Sequence, residues 1–369
     1  MAKPLKNLHQ AFPIIIYNDS ITLRTIEGGC KMSSPNIIQS LLDFLQRLLG
    51  QGPLAPGPLP QADELPDGTP APVKRKVSLL IFDPIITTQG GRRLSHVMGW
   101  NDPNRMVADL IMDLCEISNG YTNFEIVEHI LVNEFPIKAD GFAYTGEEYL
   151  HCWRKGSGFH QPDAVDYERI ISDYQLAEKV KSGAIDEVWT IGFPYAGFYE
   201  SRMAGPDAFW CNAPPIENSQ TSGRRYIIMA FNYERGIGEM LESMGHRAES
   251  ILGHTYRRTS PANNLYKRFI RTHKSHPGQA EVGTVHYAPN SRQDYEWGNS
   301  TPVQTSCRSW LKFPDLSDQP VVLDCREWGN GDIRDHHKWW FQRMPHLAGS
   351  SNGIYNNWWA YIVDPNLVR

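Results

Sequence analysis

The chain has 369 residues, 41% of them hydrophobic and 21% charged, which is enough for one large globular unit or two ordinary ones and excludes global disorder. A net charge of -5, with only short basic runs at Lys74-Arg75-Lys76 and Arg257-Arg258, argues against nucleic acid as the main partner. No apolar run approaches the roughly 18 residues of a membrane span, and six cysteines without CxxC spacing exclude a zinc ribbon or dithiol motif.

The apolar stretch from Phe12 to Ile16 is too short for the core of a signal peptide, so the chain as given reads as cytoplasmic. A trimmed secreted or surface form would read the same way. Residues 1–50 read as a separate arm. Ile14-Ile15-Ile16-Tyr17 and Ile21 to Ile26 flank Asn18-Asp19 as a hairpin, and Ser34-Pro35 opens a helix. Its apolar stripe, Ile38, Leu41, Leu42, Leu45, Leu48 and Leu49, needs a surface to pack on, its own body or a neighbouring subunit, and a homo-oligomer formed through the arm is the expectation. Residues 51–75 read as a linker, with seven prolines between positions 51 and 72.

An α/β domain is expected over 76–290. Val77 to Phe82, Phe124 to Val132, Ile185 to Phe193, Tyr226 to Phe231 and Gly283 to Tyr287 read as strands. Helices are expected from Asp102-Pro103 to Ile117, from Asp166 to Lys181 and from Gly236 to Leu252, with another opened by Ser260-Pro261. Unbroken apolar strands alternating with helices predict an α/β fold, a largely parallel open sheet with helices on both faces. Residues 291–369 are irregular, hold seven of the eleven tryptophans and are expected to pack on that domain. There is no GxGxxG after the first strand, no GxxxxGK[ST] and no GxSxG.

Ligands of open parallel sheets bind outside the strands' carboxyl ends. The residues following the strands there are Asp83, then Tyr195, Glu200 and Arg202, then Asn232, Glu234 and Arg235, and finally His286. Glu234, Glu200 and Asp83 are the candidate catalytic carboxylates. Tyr195, Arg202, Asn232 and Arg235 are candidate substrate contacts, joined by Trp297 and Trp339 as sugar-stacking indoles. The plainer alternative pairs Glu234 with Arg235 and Glu200 with Arg202, and makes the tryptophans core filler.

On the Gly236 helix, Glu239, Glu242, His246 and Glu249 share one side. His246 and Glu249, with His286 from outside the helix, form a candidate metal set for a divalent ion such as zinc. The alternative is a solvated acidic helix face. The segments Asp186-Glu187-Val188-Trp189 and Gly245-His246-Arg247-Ala248-Glu249-Ser250, with the tryptophan-rich tail, resemble an uncharacterised family of bacterial and fungal α/β proteins. That resemblance covers about residues 76–369 and implies no activity. The leading expectation is a hydrolase acting on a polar, carbohydrate-containing substrate, with or without a metal. The other is a carbohydrate-binding or self-assembling structural protein.

Overall fold

The computed structural model describes residues 70–369, so the expected arm and nearly all of the expected linker lie outside the described residues. The sheet has five strands: β1 (Val73–Phe82), β2 (Thr122–Val132), β3 (Glu187–Gly192), β4 (Ser201–Ala204) and β5 (Tyr226–Asn232). Their order is β2-β1-β3-β5-β4. All pairs are parallel except β4, which runs antiparallel along β5 at one edge. Every residue of β3 is buried, as a strand covered on both faces requires. β1 begins at Val73, so three residues expected in the linker already pair with β2.

The main helices are α1 (Pro103–Ile117), α2 (Gly146–Lys155), α3 (Tyr167–Asp173), α4 (Leu176–Lys181), α5 (Ile237–Thr255) and α6 (Ile333–Gln342). The Asp102 carboxylate caps α1 by accepting from the backbone N–H groups of Asn104 and Arg105. The crossover from β1 to β2 through α1 runs one way along the sheet, and that from β2 to β3 through α2 to α4 runs the other. Right-handed crossovers therefore put these helices on opposite faces. No described helix is long and apolar enough to cross a membrane.

Two expectations are corrected. The segment 166–181 is two helices, broken where Gln175 takes a left-handed φ of 53°. Gly283–Tyr287 is a turn and not a strand: Gly283 has φ 93°, and Thr284 and Tyr287 bond to each other's backbone. The fifth strand is β4, which the sequence presents as part of a loop because it has only four residues.

The position of α5 is set by a buried ion pair. Glu187, at the start of β3, accepts from Arg247 Nη1 and Nη2 at 2.8 Å each and from Trp189 Nε1 at 2.7 Å. Arg247 Nε donates to the Ile362 carbonyl at 3.0 Å, so each of the three guanidinium nitrogens has a partner. The C-terminal region closes over the same helix. A Cβ on Gly238 would meet Ile333 Cγ2 at 2.4 Å, so only glycine lets α6 come this close.

Candidate functional site

With Arg247 locked inward, the preceding residue is turned about 100° around the helix. That residue is His246, and it faces the flank of the sheet beside Glu200, whose carbonyl accepts the Ala230 N–H of β5. Glu242, one turn before His246, and Glu249, one turn after, share its stripe. His286 arrives on the 283–287 turn. Gly245 makes room for it: a Cβ there would meet Val285 Cγ2 at 2.6 Å, and Val285 is the residue before His286.

The resulting cluster is dense. His286 Nε2 donates to Glu242 Oε1 at 2.8 Å, and His246 Nε2 lies 3.8 Å from the same oxygen. The two imidazole centroids are 4.7 Å apart. Ligand atoms of Glu242, His246 and His286 all lie within 4.8 Å of one another, so these three can hold a metal ion. Each imidazole is also backed by a carboxylate on its other nitrogen. His246 Nδ1 is 3.3 Å from Glu249 Oε2, and His286 Nδ1 is 3.3 Å from Asp294 Oδ1. Glu249 is itself fixed by the Val285 N–H at 3.0 Å. Carboxylates placed behind histidine ligands fix the tautomer and aim the ring.

Glu200 Oε2 stands 3.9 Å from His246 Nε2 and accepts from Asn212 Nδ2 at 2.6 Å. Tyr295 Oη donates to Glu242 Oε1 at 3.0 Å and lies 3.2 Å from His286 Nε2. Its backbone is left-handed, φ 61°, which costs a non-glycine residue about 1–2 kcal/mol. Its N–H bond to the His286 carbonyl at 3.1 Å and the edge of the Trp297 ring at 5.3 Å hold it there.

Electrostatics follow from this crowding. Burial works to lower the His246 pKa, but the Glu242 carboxylate 3.8 Å from its Nε2, the bond to Glu249 and the nearby charge of Glu200 overcome it, and it is pushed up to about 10. Burial likewise opposes the charged form of Glu242, yet the nearby His246 ring and bonds from His286 and Tyr295 hold its carboxyl well below the usual range. His286 is raised by its bond to Glu242. Tyr295 is pushed up to about 12 by burial and by Glu242.

Glu200, His246 and His286 therefore lie together while Glu234 does not join them, and Glu249 stands behind His246 with Glu242 in the inward position assigned to it. Sequence spacing placed Glu242 on the right face without separating inner from outer carboxylates. Tyr295 was missed altogether, since nothing in the sequence announces a left-handed tyrosine.

The other candidates lie elsewhere or are occupied. The Glu234 carboxylate pairs with Arg235 Nε at 3.8 Å, and its N–H bonds Asn232 Oδ1 at 2.9 Å, so Glu234, Asn232 and Arg235 form a local turn. Asp83 is buried and accepts from Ser95 N–H and Oγ at 2.9 and 2.7 Å, which anchors the short helix Leu94–Met98. The Tyr195 ring stacks on Phe159 at 3.5 Å. Arg202 donates to the carbonyls of Pro214 and Pro215 at 2.9 Å each. Trp297 and Trp339 are each only 5% exposed, and Trp328, Trp340, Trp358 and Trp359 are fully buried. Large aromatics fill the interior of this irregular region, and none of these six offers a face for a sugar.

No family model, no curated protein and no solved structure matches the chain.

Proposed function

We propose that the chain is a divalent-metal-dependent hydrolase, with the ion held by Glu242, His246 and His286. The observation that carries this reading is the pair of imidazoles, each presenting Nε2 inward while a carboxylate backs its Nδ1. Two histidines and a glutamate are a donor set of catalytic zinc sites, and three protein ligands leave a position for water. Charge points the same way. Glu200, Glu242, Glu249 and Asp294 surround two imidazoles, so even with both rings protonated two negative charges remain within this set.

The ion would supply a water of lowered pKa and polarise the scissile bond. Glu200, beside the cluster and held by Asn212, takes the role of general base. Its side chain is 43% exposed and that of Asp294 is 55% exposed, so the site lies open at the surface. An open site suits an extended polar polymer better than a small enclosed ligand. The buried tryptophans remove the specific argument for sugar.

Zinc titration of the purified protein with metal analysis tests the reading. One equivalent should bind to the wild type and none to His246→Ala. The zinc-loaded protein should hydrolyse a member of a polysaccharide, peptide and phosphodiester panel, and Glu200→Gln should lose that activity while keeping zinc. Failure of the wild type to retain zinc would sink it.

A further inference from the structure

The geometry points to Tyr295 as a further catalytic residue, whose hydroxyl donates a hydrogen bond to the oxygen that gains negative charge on the substrate. This rests on the metal-hydrolase reading. Tyr295 Oη lies 3.0 Å from Glu242 Oε1 and 3.2 Å from His286 Nε2, atoms of two of the three proposed ligands. A group bonded to both stands beside any ion they hold, where an ion-bound substrate oxygen would sit. An ion on Glu242 would draw charge from that carboxylate and weaken its claim on the tyrosine proton. The hydroxyl then turns to the developing oxyanion, remaining a donor throughout, and no bond of the tyrosine is made or broken.

Three features fit a catalytic role better than a structural one. The residue is 52% exposed, so substrate can reach it. Its backbone is held at φ 61°, and strained conformations of this kind cluster at functional sites. The His286 ring, tilted at 4.5 Å, and the buried Trp297 behind it fix the phenol's direction. A phenol needed only for packing would gain nothing from pointing its hydroxyl at a carboxylate-histidine cluster from an exposed loop.

The test uses the full chain loaded with Co2+, whose visible absorption reports its ligands, and acetohydroxamate, whose anionic oxygen on the ion stands in for the oxyanion. Tyr295→Phe should leave Co2+ affinity within about twofold and weaken acetohydroxamate about tenfold or more, as loss of one charge-assisted donor implies. Turnover of 4-nitrophenyl acetate should fall about a hundredfold in kcat with KM little changed. Tyr295→Asn, which tolerates the left-handed backbone, should show the same loss and guards against misfolding of the phenylalanine variant. Unchanged acetohydroxamate affinity in both variants would overturn the assignment. A wild type that does not bind Co2+ would overturn the metal reading first and this role with it, whereas intact Co2+ binding with unchanged probe affinity removes the tyrosine role alone.

Discussion

His246 and Arg247 are neighbours in the chain and opposites in setting. Arg247 is fully buried, and its three bonding nitrogens meet Glu187 and the Ile362 carbonyl in a closed arrangement. His246 sits half a turn or less away, among carboxylates that outnumber the positive charge available to them. The first environment has matched charge and complete geometry, which is what a structural ion pair looks like. The second is unbalanced: Glu200, Glu242, Glu249 and Asp294 surround two imidazoles, and ligand atoms of Glu242, His246 and His286 lie within 4.8 Å of one another. The pair teaches that ionisable residues on one helix separate into scaffold and site by whether their partners complete them.

The sharpest way to break this contrast is to open the closed half. Arg247→Leu leaves the Glu187 carboxylate buried with Trp189 as its one side-chain donor among the described residues. Removing one partner of a buried pair costs about 3–5 kcal/mol. Urea unfolding should show a loss of that size; a loss below about 1 kcal/mol would mean that the pair does not anchor α5. The corresponding change in the open half should affect ligand and not fold. His246→Ala should abolish stoichiometric zinc binding, while Glu249→Gln, which meets His246 at its far nitrogen, should weaken it about 10- to 100-fold. Calorimetric titration ranks the two, and equal losses would place Glu249 among the direct ligands instead of behind His246.

A smaller effect tests how the two halves are joined. Gly245 precedes them both on α5, and its missing Cβ admits Val285. Gly245→Ala puts a methyl 2.6 Å from Val285 Cγ2 and should push the 283–287 turn outward, carrying His286 away from Glu242. Overpacking of this kind costs about 1–3 kcal/mol. Zinc affinity should fall more than tenfold in a protein that still folds. Unchanged affinity would show that His286 does not depend on this close approach.

The sheet was legible because Val77–Phe82, apolar but for Ser78, and Tyr226–Phe231 are short, mostly apolar runs that suit a strand buried on both faces. The stripe carrying Glu242, His246 and Glu249 was legible from helical spacing alone. The roles within it were not, because inner and outer positions are decided by the 283–287 turn, and a turn set by Gly283 at φ 93° leaves no periodic trace. Glu234 follows a strand just as Glu200 does, and nothing in composition says that Arg235 and a local turn absorb it. The tryptophans misled for a related reason. Trp beside Asn, Asp and His reads alike whether the indole faces a sugar or an irregular core, and burial decides between them.

The smallest predicted effect concerns two histidines that belong to neither half. His336 and His337 are both buried on α6. Neither nitrogen of His336 has a hydrogen-bond partner among the described residues, while the ring stacks on Trp297 at 4.9 Å. His337 has Nδ1 3.1 Å from the Gly238 carbonyl and Nε2 3.2 Å from that of Val285, and the neutral ring donates to one of the two. Burial lowers His337 to about 4 and takes His336 well below its ordinary value. Both are therefore neutral when folded and bind protons more readily when unfolded. Their stabilising effect is present above the unfolded pKa near 6.5 and is lost as pH falls from there toward 4. His336→Phe keeps the stacked ring, removes two unsatisfied nitrogens and should stabilise the protein by about 1 kcal/mol at neutral pH. It should also flatten the fall in stability between pH 6.5 and 4, because one of the histidines that bind protons more readily in the unfolded state is gone. Unfolding midpoints of wild type and variant at pH 7 and pH 4.5 check both parts. If the variant is destabilised at both pH values by the same amount, His336 has a bonding partner after all, and the buried tail is more polar than its tryptophans imply.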